Sequence, residues 1–175
     1  MPIQLLQDAQ ALQQRTVALR REIHRHPELG LDLPRTRAAV LESLQGLDLE
    51  LALSDTTSGI VATLHGAEPG PAVLLRGDMD ALPMPEDTGL PFASEEAGCM
   101  HACGHDAHTA MLASAAHLLH AHRDRIAGSV RFMFSSQARK AQAAPSPCST
   151  KACWMRMVHH RRFTHCTWSP RCPLA

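Results

Sequence analysis

Hydrophobic residues recur at helical spacing in three parts of the chain. Between Ile3 and about His26 they return every three or four positions, which predicts an amphipathic helix. A second helix is predicted over residues 34–47, with Pro34 in its first turn, where a proline is tolerated. A third is predicted from Asp106, a residue suited to an N-cap, to about Asp124.

Short apolar runs predict the strands. They occupy residues 49–53, 59–64, 71–76 and 129–134. Because these runs alternate with predicted helices, the fold class is expected to be α/β, with a mostly parallel sheet and flanking helices. Regular patterning fades after Phe134.

Charge divides the chain at the same place. Lys+Arg and Asp+Glu number 17 each, but residues 135–175 contain no acidic residue. The same segment contains both tryptophans and four of the six cysteines. We therefore predict two parts: residues 1–134 as a catalytic domain part, and residues 135–175 as an aberrant, basic, Cys-rich tail that is poorly ordered.

Overall composition limits the partners and the location. Balanced charge argues against nucleic-acid or membrane partners, and no apolar stretch has the length of a membrane span. The first residues lack a basic region followed by an apolar run, so no signal peptide is predicted. We expect a cytoplasmic protein, whose cysteines stay reduced and are available for metal binding or catalysis.

Two carboxylates follow a predicted buried strand. Asp78 and Asp80 stand two residues apart, so an extended backbone would point both side chains the same way. Ligands of open α/β sheets bind beyond the carboxyl ends of strands, where such acids can bind metal or orient a base. The alternative is a strand that ends in a solvated acidic turn.

A second cluster of polar side chains lies in residues 100–111. Three histidines, one cysteine and one aspartate fall within eight residues: His101, Cys103, His105, Asp106 and His108. Cysteine and histidine suit zinc and other first-row divalent ions. The helix that follows would favour a Cys103 thiolate. Not all five can bind one ion, so some would orient the ligands. The alternative is a histidine-rich loop without metal.

Other histidines receive no chemical role. His24 and His26 lie near a predicted helix end, and we expect them to be solvated. His117, His120 and His122 lie on the third helix, where surface or half-buried positions are expected.

Three segments together resemble one family of metallohydrolases. They are LRREIHRHPELG at 19–30, LRGDMDALP at 75–83 and MHACGHDAHTAM at 100–111. They resemble the zinc-peptidase-like cocatalytic enzymes that include hippurate hydrolases, N-acyl-amino-acid amidohydrolases and indole-acetyl-amino-acid hydrolases. The resemblance implies that residues 1–134 are the amino-terminal part of such a catalytic domain.

The resemblance also implies roles for individual residues. Cys103 and His105 would be metal ligands, and Asp80 would be the catalytic acid beside the metals. Asp78 stands where related peptidases carry a metal-binding histidine. The remaining residues of the cluster (His101, Asp106 and His108) are candidates for supporting the ligands or facing the substrate.

The family's chemistry sets further expectations. Its catalytic domain binds two divalent ions (manganese, zinc, nickel or cobalt) and hydrolyses the amide bond of small N-acyl amino acids such as hippurate. A smaller lid domain often joins it into homo-oligomers. Two alternatives stay open: a related dipeptidase or carboxypeptidase, and a non-enzymatic metal-binding protein that uses the cysteines and histidines of the tail, whose spacing fits no compact zinc motif.

The tail departs from the family pattern. A glutamate pair, supplying the general base and a metal ligand, is expected after Phe134, but the chain reads Gln137-Ala138-Arg139-Lys140. Codons for residues 136–141, taken in a shifted frame, can encode Pro-Gly-Glu-Glu-Gly, and the same shift later yields Ala-Leu-His. We therefore interpret residues 135–175 as frameshifted and expect this chain to be inactive.

Overall fold

A computed structural model describes residues 2–136. The helices are α1 (Pro2–Ala11), α2 (Gln13–Arg25), α3 (Pro34–Ser43) and α4 (His105–Ala121), followed by a 3-10 turn at Arg123–Arg125. The strands are β1 (Glu50–Leu53), β2 (Ile60–His65), β3 (Glu68–Asp78) and β4 (Ala127–Ser135). Residues 137–175 lie outside the described part of the chain, so the predicted frameshift and disorder of the tail are not tested by the structure. No helix in the described part of the chain has both the length and the hydropathy to cross a membrane.

Two helix boundaries differ from the predictions. The first predicted helix is two helices, because the Leu12 N–H bonds to the Ala9 carbonyl three residues back, at 3.2 Å, and tightens the turn. Asp106 is not the N-cap of α4. Gly104 occupies that position with φ 79°, a left-handed conformation that glycine adopts without steric cost, and Asp106 lies buried in the first turn.

The sheet confirms the α/β class but is mixed. Its strand order is β1-β2-β4-β3, with β1–β2 and β2–β4 antiparallel and β3–β4 parallel. The short connection between β1 and β2 forces an antiparallel pair, whereas the α4 crossover returns the chain parallel to β3. Within residues 2–136 this corrects the expectation of a mostly parallel sheet.

The core lies between one face of the sheet and helices α3 and α4. Alternate residues of the central strands point into it and are at most 8 % exposed: Ile60, Ala62 and Leu64 from β2, and Val130, Phe132 and Phe134 from β4. Val40 of α3 and Ala113 and Ala116 of α4 complete the contact. Burial of this apolar face supplies most of the driving force for folding.

Helix α4 packs directly onto the carboxyl end of β3. A Cβ atom at Gly77 would lie 3.0 Å from the His108 carbonyl oxygen, so any larger residue would require α4 to move away by a few tenths of an ångström. At the next residue along both elements, the Thr109 hydroxyl donates to the Asp78 carbonyl at 3.0 Å. The start of α4 is thereby held over the strand end, where Asp80 follows β3.

Candidate metal centre

Asp80 and His105 are in direct contact. His105 Nδ1 lies 2.7 Å from the Asp80 carbonyl oxygen and 3.2 Å from Asp80 Oδ1. Both side chains are buried, with 6 % and 3 % of their surface exposed. Because a carbonyl oxygen only accepts, Nδ1 must carry the hydrogen, and in the neutral ring the free lone pair is on Nε2.

Cys103 lies beside this pair in sequence and is exposed. It is a free thiol two residues before His105, separated from it by the left-handed turn at Gly104. The amino-terminal end of α4 begins at His105, and such an end favours negative charge. An exposed thiol at this position is open to an incoming cation.

The described residues do not form a complete set of metal ligands. Across residues 4–136, no three histidine, cysteine, aspartate or glutamate side chains converge closely enough to hold a metal ion. The donors present, one imidazole nitrogen with a fixed tautomer and one thiol, nonetheless suit a borderline-soft divalent ion. Cys103 and His105 therefore fit two positions of a metal site that needs further ligands.

Asp78 has different surroundings from Asp80. Its Oδ1 accepts from Arg76 Nη2 at 2.6 Å and from Ser135 Oγ at 3.3 Å, and its side chain is 20 % exposed. Strand β3 ends at Asp78, so the regular alternation that would point both acids the same way is not maintained to Asp80. Asp78 forms an ion pair at the strand end, whereas Asp80 contacts His105.

His101 is a buried histidine without a protein hydrogen bond in the described part of the chain. It is 4 % exposed, and no side chain or backbone group described here reaches either ring nitrogen; the same holds for Asp106 Oδ1. Burial lowers the pKa of His101 to about 4, although the charges of Asp106 and Asp80 oppose this shift. His101 is therefore neutral at physiological pH.

Asp106 is fully buried and joins α4 to α2. Its Oδ2 accepts from Arg20 Nε at 2.6 Å and from His24 Nδ1 at 2.7 Å. His24 is only 3 % exposed, so the expectation that it is solvated is wrong. Arg20 and His24 are four residues apart and share one face of α2, but nothing in the sequence identifies Asp106 as their common partner.

Glu86 extends this buried network to the loop between β3 and α4. Its carboxylate accepts from Ser94 N at 2.7 Å and from the Thr88 hydroxyl, and Oε1 lies 3.2 Å from His24 Nε2. Burial raises the pKa of Glu86, but these hydrogen bonds outweigh it, and the net shift is downward. Spacing along the sequence gives no signal for this contact, which spans 62 residues.

Aromatic contacts close the same region. The guanidinium groups of Arg20 and Arg21 lie 5.0 Å and 4.9 Å from the centre of the Phe92 ring, and His24 meets that ring edge-on at 5.6 Å. On the other side, the exposed ring of His108 lies 5.7 Å from that of His105. His108 therefore lies on the solvent side of the candidate ligand.

Comparison with known proteins identifies related peptidases and amidohydrolases. The family model described as peptidase family M20/M25/M40 matches residues 74–137. An N-acyl-L-amino acid amidohydrolase from Geobacillus stearothermophilus is 47 % identical over 119 residues, which are 67 % of this chain and 32 % of the relative. A thermostable carboxypeptidase from Saccharolobus solfataricus is 40 % identical over 74 % of this chain and 33 % of its own length.

A solved structure shows the same fold. A dinuclear metal-binding peptidase of family M20 from Bacillus subtilis superposes with a TM-score of 0.68 at 40 % identity, covering 71 % of this chain and 35 % of that one. The chain spans about a third of the length of the curated relatives that it matches.

Proposed function

Because the chain belongs to peptidase family M20/M25/M40, whose members are hydrolases, we propose that it carries part of the active site of a metal-dependent amidohydrolase. The proposed substrates are small N-acyl amino acids of the hippurate type. The contact between Asp80 and His105 carries this proposal, because it fixes the imidazole tautomer that a metal ligand needs. The relative that hydrolyses N-acyl amino acids supports the substrate class.

In this proposal each residue has a defined task. His105 Nε2 and Cys103 Sγ bind a divalent ion, while Asp80 holds the His105 ring in place through Nδ1. When bound, two such ions (manganese, zinc, nickel or cobalt) would activate water and polarise the amide carbonyl. Asp78, His101 and His108 are proposed to support the ligands or to face the substrate.

Cobalt binding tests the ligand assignment in the chain as it exists. Titration with Co²⁺ should produce a thiolate-to-metal absorption band, and Cys103→Ala should abolish it. His105→Gln should weaken the affinity at least about tenfold. The matched control is His65→Gln, since His65 is 66 % exposed and pairs with Glu50 far along the sheet. Equal cobalt affinity in the two site variants and the control would refute the assignment.

We further propose that the 175-residue chain does not hydrolyse amides by itself. The sequence after β4 carries Ala138, Arg139 and Lys140 where the resemblance expects a glutamate pair, and we propose a frameshift as the cause. Sequencing the gene around the Phe134 codon tests the cause. Hippurate and acetyl-amino-acid assays with added manganese test the activity: no turnover is expected, and turnover well above the metal-only rate would contradict the proposal.

A second candidate function is peptide cleavage. The 40 % identity to a thermostable carboxypeptidase favours it specifically. A version whose frame is restored after Phe134 should hydrolyse N-acyl amino acids faster than dipeptides with a free amino group, and the reverse preference would select the peptidase. Homo-oligomerisation, the absence of nucleic-acid and membrane partners and a cytoplasmic location stay predictions.

A further inference from the structure

A buried polar chain connects three segments that are distant in sequence. It runs from Glu86 through His24 to Asp106, with Arg20 as a second donor to Asp106. The side chains of Glu86, His24 and Asp106 are at most 3 % exposed. Burying charged groups is costly unless they are paired, so this network needs a compensating role.

One candidate role is to attach the loop of residues 82–100. That loop is already closed at its base, because the Leu82 and Met100 backbones exchange hydrogen bonds of 2.9 Å and 3.0 Å. The Glu95 N–H also donates to the Arg25 carbonyl of α2 at 2.9 Å. The loop therefore has backbone attachments that do not involve His24.

The other candidate role concerns the first turn of α4. Asp106 follows His105 directly, and both donors to its Oδ2 come from α2. The remaining side-chain hydrogen bond between α2 and α4 in residues 4–136 joins Thr16 to Ser114, further along both helices. The Asp106 contact is therefore the side-chain attachment of α2 to α4 that lies nearest His105, and it adds to the Thr109 hydrogen bond that ties α4 to the Asp78 carbonyl of β3.

We propose that His24 and Asp106 are positioning residues that hold the first turn of α4 so that His105 keeps its Nδ1–H tautomer against the Asp80 carbonyl. The inference rests on the proposed function, because a fixed Nε2 lone pair matters only for a ligand. His24 acts here through Nδ1, which donates to Asp106, whereas its Nε2 contact with Glu86 is secondary.

Two substitutions at His24 separate the two roles. The side-chain amide of asparagine approximates Nδ1, and that of glutamine approximates Nε2, so His24→Asn keeps the bond to Asp106 and His24→Gln keeps the bond to Glu86. The readout is the His105 tautomer, measured in ¹⁵N-labelled metal-free protein by long-range ¹H–¹⁵N NMR and assigned by comparison with His105→Gln.

The expected result is asymmetric. His24→Asn should keep the wild-type Nδ1–H signal of His105, and His24→Gln should convert it to the mixture of tautomers that an unconstrained ring adopts. A wild-type signal in both variants, a mixture in both, or a mixture in His24→Asn alone would each overturn the inference. Asp106→Asn should also give a mixture of tautomers. Its control is Asp124→Asn, which changes an exposed carboxylate and should keep the wild-type signal.

A further variant tests the inference if the His24 variants fail to fold. Arg20→Met removes the other donor to Asp106 at a side chain that is 33 % exposed, so it removes fewer buried contacts than a substitution at His24, which is 3 % exposed. It should shift the tautomer ratio partway, and an unchanged ratio would count against the inference. Circular dichroism confirms that each variant is folded before it is compared.

Cobalt affinity then separates this inference from the proposed function. His24→Gln should weaken Co²⁺ binding about 10- to 100-fold, and His24→Asn should leave it near wild type. If the wild-type chain shows no Cys103-dependent cobalt band, the proposed metal site fails, while the tautomer measurement still decides the positioning role.

Discussion

Glu28 caps helix α3 from outside the helix, and its removal is a sharp test of how the amino-terminal segment is held. Leu33, at the N-cap position, has no side-chain bond to offer. Instead, Glu28 Oε1 accepts from Arg35 N at 3.1 Å, and Oε2 accepts from Thr36 N at 2.8 Å and Thr36 Oγ1 at 2.9 Å. Glu28→Ala would leave these donors without their acceptor.

The expected cost follows from these contacts. Loss of an N-cap costs about 0.5–2 kcal/mol, and loss of a negative charge at a helix amino terminus costs about 0.3–1 kcal/mol. Thr36 is 2 % exposed, so water cannot readily replace the carboxylate. We therefore expect Glu28→Ala to lower the free energy of unfolding by about 2 kcal/mol.

Urea unfolding followed by far-ultraviolet circular dichroism measures this change. With a urea dependence of about 2 kcal/mol per molar, the midpoint should fall by about 1 M. Glu22→Ala is the matched control, since Glu22 is 54 % exposed and forms surface ion pairs with Arg25 and His26. It should change stability by less than about 0.5 kcal/mol. Equal midpoints for the two variants would refute the capping argument.

Two further predictions concern α4. Burial lowers the pKa of His117 in the folded protein, although its 2.7 Å bond to the Ser43 carbonyl opposes the shift. The unfolded chain therefore binds the proton more tightly, so stability should fall as pH drops below about 6.5, and His117→Gln should flatten that part of the stability–pH curve. Gly77→Ala should lower the free energy of unfolding by about 1–2 kcal/mol, because the new Cβ would press on the His108 carbonyl at 3.0 Å and on Leu112 Cδ2 at 3.2 Å. A melting temperature at or above that of the wild type would show that α4 shifts without cost.

Much of the fold follows from local sequence signals. Apolar periodicity placed the helices and strands of residues 2–136 within a few residues, because periods near 3.6 and 2 reflect which face of each element is buried. Three motifs together, at residues 19–30, 75–83 and 100–111, indicated the family. The structure brings Asp80 into contact with His105, and the roles of these residues at a metal stay a prediction.

Partnerships between distant residues needed the tertiary structure. His24 looked like a solvated residue at a helix end, yet it is buried against Asp106, 82 residues away, and against Glu86, 62 residues away. The mixed strand order, with β4 inserted between β2 and β3, was equally invisible in the pattern of single segments. The reason is physical: periodicity records that a face is buried, whereas the partner of a buried polar group depends on which elements the chain brings together.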